Sequence, residues 1–363
     1  MKPLELYLHI PFCIQKCNYC DFLSAPSCAG ERKVYVESLC QKIRSYKDLA
    51  KAYHVVSIFV GGGTPSLLLS KQIEQIFEAV REIFVIDSDA EISLEANPGT
   101  VTEEKLQAYR NCGINRLSIG LQSAKDRELK RLGRIHTYEE FLWTYELARK
   151  AGFLNINVDL MSGIPLQTLA DWEETLHEVA RLKPEHISAY SLIMEEGTPF
   201  YERYGNGKHL EELPDEETER KMYYRTREIL ESYGYHRYEI SNYARLGYEC
   251  RHNLGYWNRT EYLGIGTGAA SLIREERWNE GEIPEKLDRK AQMEDTMFLG
   301  LRTMKGVSKA EFAKTYQQTM ESVYGKVLEE MQKKGLLLVG EDQVCLTDAG
   351  IDVSNYVMSE FLL

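Results

Sequence analysis

Short β-rich runs alternate with longer amphipathic runs through the first two thirds of the chain, and this alternation most constrains its fold. Aliphatic and β-branched residues predict strands at 5–10, 55–60, 91–95, 116–120, 155–160 and 187–192. Apolar residues at helical spacing predict helices at 31–52, 71–84, 103–111, 138–151, 168–181 and 216–233. This order is typical of a parallel sheet in an α/β protein. Six units favour a partial (β/α)6 barrel over a closed barrel of eight. A doubly wound sheet is the alternative fold that this pattern alone does not exclude.

Capping residues support these helix boundaries. Ser70 and Thr102 stand just before apolar-periodic runs and are predicted N-caps. Gly113 and Gly152 lie just past the ends of two predicted helices, where a left-handed residue is common.

The last third of the chain has a different pattern. A Gly-, Pro- and acid-rich segment at 197–215 interrupts the alternation, and 235–277 is predicted to be irregular, with many aromatic residues and glycines. Helices are then predicted at 291–301, 309–315 and 322–334, followed by strands at 336–339 and 343–346 and a helix from residue 348. This order is similar to a winged-helix module of the α+β class. We therefore predict a barrel at 1–234, a connecting region at 235–289 and a C-terminal module at 290–363.

Charge and hydropathy exclude several classes of function. The chain has 44 Lys and Arg against 56 Asp and Glu, a net charge of −12, whereas nucleic-acid binding requires clustered cations. No run of about 18 apolar residues predicts a transmembrane helix, and the first residues lack the apolar core of a signal peptide. We therefore expect a cytoplasmic protein with no nucleic-acid partner. In that compartment closely spaced cysteines bind metals or carry out redox chemistry more often than they form disulfides.

Three of the eight cysteines form a CxxxCxxC motif directly after the first predicted strand. Cys13, Cys17 and Cys20 would stand at the carboxyl end of that strand, where α/β proteins place their ligand sites. Three thiolates can hold three irons of a [4Fe–4S] cluster and leave the fourth iron open to another ligand. Zinc is the alternative, but it requires four ligands or three and a water, and no second CxxC pair is present. An inert buried trio is the third interpretation.

A glycine run follows the second predicted strand. The residues Gly61, Gly62, Gly63 and Thr64 allow close approach of the backbone to a ligand, where free amides can bind a carboxylate or carbonyls can hold an ammonium group. A phosphate-binding loop is excluded because no Lys-Ser or Lys-Thr follows the glycines. An ordinary tight turn is the alternative.

The segment from Tyr7 to Phe22, with its cysteine spacing, resembles the radical S-adenosylmethionine (SAM) superfamily. It is most similar to the branch that contains oxygen-independent coproporphyrinogen III dehydrogenase (HemN) and heme chaperones of the HemW type. The resemblance implies a partial barrel, a [4Fe–4S] cluster on the three cysteines, and SAM at the open iron, where an electron can cleave it to a 5′-deoxyadenosyl radical. The positions that match the family's SAM contacts are Tyr7, Tyr19, Gly62, Gly63, Thr64, Glu95, Gln122, Arg134 and Asp159. In the dehydrogenase branch the equivalents of Tyr19, Gln122, Arg134 and Asp159 line a second SAM site.

Two features favour the HemW branch over the dehydrogenase branch. The dehydrogenase motif resembles CxxxCxxCxC, whereas Phe22 stands here at the position of the additional cysteine, and only twelve residues precede Cys13. The segment from Cys250 to Trp257 matches the HNxxYW motif that is typical of HemW and linked to heme binding. The match implies that His252 is an axial heme ligand, with Cys250 as a further candidate. A histidine bonded within the protein core is the structural alternative.

The resemblance implies a heme chaperone without coproporphyrinogen dehydrogenase activity. Arg251 or Arg259 would meet the heme propionates. Heme would pass to a hemoprotein, expected in membrane-associated respiratory machinery, from a cytoplasmic protein that can lie peripherally at the membrane; a homodimer is one arrangement. The alternatives are oxidative decarboxylation of coproporphyrinogen III by radical SAM chemistry and a structural zinc or iron–sulfur protein.

The remaining glycine and cysteine motifs are interpreted as structural. The run from Gly264 to Gly268 resembles a dinucleotide-binding loop only weakly, because it lies outside a βαβ unit, and we predict tight backbone packing there. Apolar filler positions are predicted for Cys28, Cys40, Cys112 and Cys345.

Overall fold

A computed structural model describes all residues of the chain, 1–363, and six long parallel strands form the centre of its main sheet. They are β1 (Lys2–Ile10), β2 (Tyr53–Gly62), β3 (Ile86–Ala96), β4 (Arg116–Gln122), β5 (Ile156–Ser162) and β6 (His186–Ser191). Each strand pairs with the next in chain order. One row across the sheet aligns Leu8, Val60, Leu94, Leu117 and Ile156, all buried. Such aliphatic rows are expected because helices cover parallel sheets.

Helices connect these strands as the sequence pattern predicts. They are α1 (Ala29–Ser45), α2 (Ser70–Ile83), α3 (Glu103–Asn111), α4 (Tyr138–Lys150), α5 (Leu169–Arg181) and α6 (Glu216–Ser232), with short helices at Lys47–Ala50, Asp126–Leu132 and Pro199–Tyr204. The predicted helix at 31–52 is thus divided after residue 45.

The structure confirms three of the four predicted caps. Thr102 accepts a hydrogen bond from an amide in the first turn of α3. Gly113 and Gly152 have φ of 78° and 86° and terminate α3 and α4, as the left-handed conformation allows. The prediction for Ser70 is wrong, because the backbone bends one residue earlier. Leu69 is the N-cap, and its amide donates 2.9 Å to Oε1 of Gln72.

The segment at 235–277, predicted to be irregular, instead adds strands to both edges of the main sheet. On one side β7 (Asn242–Ala244) runs antiparallel to β6 and continues to the strand His236–Arg237. On the other, β8 (Tyr262–Ile265) runs parallel to β1 and continues through Ala270–Ile273 and Glu276–Asn279 to Glu285–Lys286. The prediction was wrong because strands of two to four residues are too short to show a period. The sheet of twelve strands stays open, as a partial barrel requires.

Helix α7 (Arg251–Trp257) lies between β7 and β8 in the chain and carries the HNxxYW motif. The glycines that follow confirm the predicted tight packing. A side chain on Gly264 would overlap the carbonyl of Ala270, and one on Gly266 would lie 2.5 Å from the hydroxyl of Tyr35.

The C-terminal module has its own hydrophobic core of 17 residues, separate from the core of 53 residues in the barrel. Its helices are α8 (Arg289–Gly300), α9 (Lys309–Tyr316) and α10 (Met320–Lys333), followed by Asp348–Asp352 and Ser354–Ser359. Antiparallel strands at Val307–Ser308, Leu337–Val339 and Gln343–Leu346 complete it. This arrangement confirms the predicted order of helices and hairpin.

None of the helices in the chain combines the length and hydropathy that crossing a membrane requires.

The cysteines outside the CxxxCxxC motif have mixed environments. Cys40 and Cys112 are buried, as predicted, and Cys345 is half-buried. The prediction for Cys28 is wrong, since this residue is exposed at the N-cap of α1.

Candidate functional site

A cavity of about 380 Å³ lies at the carboxyl ends of the central strands. The cluster loop, which we define as residues 13–23, lines one side of the cavity. The ends of β2 to β6 line the other side. Of the residues that match the family's SAM contacts, the structure brings eight to this cavity: Tyr19, Gly62, Gly63, Thr64, Glu95, Gln122, Arg134 and Asp159. Parallel strands place their polar ends at one edge in this way.

The three motif cysteines are half-buried free thiols that line the cavity. Thr64 Oγ1 lies 3.7 Å from the sulfur of Cys13, and Arg134 lies 3.7 Å from the sulfur of Cys17. The backbone amide of Asn18, between the second and third cysteines, donates a hydrogen bond of 2.9 Å to the Leu132 carbonyl. This bond holds the loop on the barrel.

The three cysteine sulfurs do not all lie within 4.8 Å of one another. Two thiolates on one tetrahedral zinc lie about 3.8 Å apart, since each Zn–S bond is about 2.3 Å. The only three His, Cys, Asp or Glu residues whose ligand atoms all lie within 4.8 Å of one another are His209, Glu211 and Glu212, elsewhere on the surface. The three cysteines are therefore more widely spaced than one zinc ion requires. Their donor set suits a larger iron–sulfur cluster with one iron left open.

The amides of Gly62, Gly63 and Thr64 are not free, so that part of the expectation was wrong, whereas the part on the carbonyls stays a prediction. The Gly62 amide donates 3.1 Å to Glu95, and those of Gly63 and Thr64 donate 2.9 and 2.7 Å to the carbonyls of Ile10 and Phe12. A side chain on Gly63 would come within 2.6 Å of the Phe12 carbonyl. A glycine is thus required at position 63, because the backbone that leads into the cluster loop crosses it closely.

Four acidic residues line the cavity, and two of them, Glu95 and Asp159, lie at the ends of the central strands. Burial raises the pKa of Glu95 to about 8, and the neighbouring Asp159 raises it further. Burial also raises the pKa of Asp159, although its bonds to Ser118 and Asn157, at 2.9 and 2.8 Å, oppose this. A cationic ligand would compensate these charges.

Asn97 and His136 are site residues that the sequence analysis missed. Asn97 donates 2.8 Å to Thr64 and accepts at 2.8 Å from Arg134, so it joins the glycine run to the arginine. His136 lines the cavity, and its Nε2 has no hydrogen-bond partner. Burial and the charge of Arg134 lower the pKa of His136 to about 3. The available signal was their position, two residues after Glu95 and Arg134.

Tyr7 and His252 line a second, inner cavity of about 200 Å³. Glu95, Ser118 and Asp159 line both cavities, so the inner one lies against the floor of the outer one. His252 is 1% exposed, and a porphyrin macrocycle is far larger than the inner cavity. The structure therefore does not bring His252 to the surface or to the cysteines.

The other candidates for the heme site are also engaged within the protein. The thiol of Cys250 is buried 3.5 Å from Glu91. Arg251 donates 2.6 Å to the Asp89 carbonyl, and Arg259 donates 2.9 Å to the hydroxyl of Tyr316.

Comparison with known proteins gives two family matches. The radical SAM superfamily matches residues 7–179, and the HemN C-terminal domain matches residues 287–353. Among solved structures, coproporphyrinogen III oxidase (HemN) from Escherichia coli superposes with a TM-score of 0.86 at 24% identity, over 99% of this chain and 90% of that one. This likeness confirms the predicted partial barrel with its C-terminal module.

Several curated relatives are similar over most of their length. The heme chaperone HemW of Bacillus subtilis is 36% identical over 98% of both chains. The heme chaperone HemW of Escherichia coli is 41% identical over 75% of this chain and 71% of its own. A mitochondrial radical S-adenosyl methionine domain-containing protein 1 from Bos taurus is 32% identical over 98% of this chain and 87% of its own. The chain therefore belongs to the HemW family of the radical SAM superfamily.

Proposed function

We propose that this protein is a heme chaperone that binds a [4Fe–4S] cluster, SAM and heme and delivers heme to other proteins. The observation that carries the proposal is the 36% identity to a heme chaperone over 98% of both chains. The cavity supports the cofactor part of the proposal, because three free thiols line it together with the carboxyl groups of Glu95 and Asp159 at the strand ends.

The residues of the outer cavity have separable tasks in this proposal. Cys13, Cys17 and Cys20 hold three irons of the cluster, and Glu95 with Asp159 attracts the positive charge of SAM. When bound, the cluster and SAM supply one-electron radical chemistry. Arg134 bonds the Gly120 carbonyl at 2.7 Å as well as approaching Cys17, so it holds the cluster loop against β4.

Phe22 supports a chaperone over a coproporphyrinogen dehydrogenase. It occupies the position of the additional cysteine in the dehydrogenase motif. Its side chain is 62% exposed at the rim of the outer cavity, where a phenyl ring supplies apolar contact and no thiol.

The heme site at His252 stays a prediction, and the geometry sets a condition on it. Both ring nitrogens are bonded to hydroxyl groups, of Ser57 at 2.8 Å and Tyr256 at 3.0 Å. Ligation of heme iron by His252 requires one of these bonds to break and helix α7 to expose the ring.

Heme titration of the anaerobically reconstituted protein tests the proposed function. We expect saturable heme binding, followed by its Soret absorbance, and no turnover of coproporphyrinogen III with SAM and a reductant. Steady formation of protoporphyrinogen would overturn the chaperone assignment in favour of the dehydrogenase. A His252→Ala protein that binds heme as tightly as the wild type would remove His252 from the heme site.

The acceptor and the location belong to the same proposal. We expect a cytoplasmic protein that passes heme to a membrane-associated respiratory hemoprotein, and a homodimer as its assembly. Transfer of heme to an apo-cytochrome in vesicles, compared with transfer without the chaperone, tests the acceptor class. Light scattering after size-exclusion chromatography determines the assembly.

A further inference from the structure

We infer that His252 is a positioning residue for the SAM cavity, where its imidazole ring fixes Phe59 and, through Phe59, Tyr7. The inference rests on the SAM binding included in the proposed function. It gives the HNxxYW motif a role within the barrel that does not require contact between heme and this histidine.

The ring of His252 is held on both sides by neutral partners. Nδ1 lies 2.8 Å from Ser57 Oγ on β2, and Nε2 lies 3.0 Å from the hydroxyl of Tyr256 one helical turn later. A neutral imidazole has one donor and one acceptor, and two hydroxyl groups can satisfy both. Burial and the nearby Arg116 lower the pKa of His252 to about 3, which keeps the ring neutral.

Helix α7 is fixed to the barrel at the level of this ring. The Glu91 carboxylate on β3 accepts hydrogen bonds from the amides of Arg251 and His252, each at 3.2 Å, and thereby binds the helix N-terminus. Gly255 packs directly on the Glu5 carboxylate of β1, where any side chain would overlap it. Strands β1, β2 and β3 therefore together fix the position of the imidazole ring.

A stack of rings leads from His252 toward the outer cavity. The Phe59 ring lies 5.3 Å from that of His252 with 28° between their planes, and 6.4 Å from that of Tyr7 with 24° between them. Tyr7 bonds His9 at 3.1 Å, and His9 bonds the Leu23 carbonyl of the cluster loop at 2.9 Å. The stack thus continues as hydrogen bonds to the loop that carries the cysteines.

Phe59 and Glu95 lie on either side of the position that a side chain on Gly61 would occupy. A side chain on Gly61 would lie 3.0 Å from the Phe59 ring and 3.2 Å from the Glu95 carboxyl group. The bare backbone of Gly61 therefore lets both side chains approach. Phe59 and Glu95 line the inner cavity together with Tyr7 and His252. If the His252 ring were removed, Phe59 could turn into the vacated space, and the contacts of Tyr7 and Glu95 would loosen.

Calorimetric titration of SAM onto the reconstituted protein tests this inference with two variants. His252→Ala removes the ring, and we expect it to weaken SAM binding about tenfold, the value of a lost aromatic contact. His252→Phe keeps the ring without the hydrogen bonds, and we expect it to restore SAM affinity to within about threefold of the wild type. SAM should also change the electron paramagnetic resonance spectrum of the reduced cluster. We expect this change at a lower SAM concentration in the wild type and His252→Phe than in His252→Ala.

His177→Ala is the matched control, because His177 is a half-buried histidine beside Tyr233, on α5 and outside both cavities. We expect no change in its SAM affinity. Wild-type SAM affinity in a folded His252→Ala protein would overturn the inference, and so would a folded His252→Phe protein as weak as His252→Ala. If His252→Ala does not fold, Phe59→Leu, which interrupts the stack, must weaken SAM binding or the inference is overturned.

Heme titration of the same proteins keeps the two proposals apart. Phenylalanine cannot ligate iron, so His252→Phe should lose heme and keep SAM if His252 is a ligand in a second conformation. Absence of heme binding by the wild-type protein would contradict the proposed function but leave the SAM comparison intact.

Discussion

The cluster loop and helix α7 contact the same barrel at different levels, and their polar atoms differ in how fully the protein satisfies them. The loop follows the end of β1, and its thiols lie half-buried at an open cavity. Helix α7 packs at mid-strand, where His252 has a protein partner for each ring nitrogen. Because buried polar groups in proteins are normally hydrogen-bonded, the satisfied histidine resembles a structural group. The half-buried thiols at the cavity resemble ligand-binding groups.

The two regions are linked by the rows of side chains between them. Glu95 belongs to both cavities, and Tyr7 extends from the inner cavity to the cluster loop through His9. A change in one region can therefore be measured in the other. The following experiments use that link, beginning with the largest expected effect.

Removal of the cysteines should abolish the cluster. We expect Cys13→Ala, Cys17→Ala and Cys20→Ala each to lose nearly all bound iron and sulfide, because a cluster with two protein ligands has a second iron open to solvent. Iron and sulfide analysis after anaerobic reconstitution measures this. Cys40→Ala, which removes a buried thiol from α1, is the control and should retain the full cluster. A cluster that survives in all three single variants would contradict the ligand assignment.

Above pH 8, where Glu95 carries its charge, Glu95→Gln should weaken SAM binding about 10- to 100-fold, because it replaces a charge-assisted hydrogen bond by a neutral one. Since the pKa of Glu95 is raised to about 8, wild-type SAM affinity should rise between pH 6 and about 8.5 as the carboxyl group loses its proton. The variant should lack this rise. Titration calorimetry at several pH values measures both effects.

Glu128→Gln is the matched control for Glu95→Gln. Glu128 is a buried glutamate that bonds Ser123 and Gln167 at 2.7 and 2.9 Å, outside the SAM cavity. We expect it to bind SAM as the wild type does. Equal weakening in both variants would mean that the effect at Glu95 is one of general stability.

The cluster loop could be predicted because its ligands lie within eight residues of one another in the chain. The six central strands were equally predictable, because each is long enough to show its pattern. The environment of His252 could not be predicted, because its partners Ser57 and Phe59 are nearly 200 residues away in the chain. Nothing local in the sequence indicates that these three residues meet.

The predictions for the edges of the sheet and for the amides of the glycine run were wrong for the same physical reason. Strands such as β7 and β8 exist because neighbouring strands supply their hydrogen bonds, and their short sequences carry little preference of their own. The amide of Gly63 is satisfied by the Ile10 carbonyl, across 53 positions of sequence. Tertiary partners decide such features.

Glu5→Gln should stabilise the apo-protein at high pH and thus sharpen the view that the α7 level is structural. Burial raises the pKa of Glu5 to about 8, above that of an unfolded glutamate, so the folded protein binds the extra proton. Wild-type stability should therefore fall as the pH rises from about 4.5 to 8. At pH 9 the variant should be more stable by about 2 kcal/mol or more, with no difference near pH 4.

Urea unfolding of the wild type and Glu5→Gln at both pH values measures this difference. Glu37→Gln, at an exposed position of α1, is the control. An equal gain at pH 4 and pH 9 would show that charge on Glu5 is not the cause.

Arg302→Met should have the smallest effect and tests the far end of the motif. The Arg302 guanidinium lies 4.7 Å from the centre of the Trp257 ring, so it joins helix α7 to the C-terminal module. Loss of this cation–π contact should cost about 0.5–1 kcal/mol of stability. SAM affinity should stay unchanged, because Trp257 lines neither cavity. Arg110→Met, which removes the contact with Phe153 at 5.3 Å, is the control for a cation–π loss elsewhere. If Arg302→Met weakened SAM binding as much as His252→Ala, the whole of α7 would act on the cavity as one body, and the role assigned to the imidazole would pass to the helix.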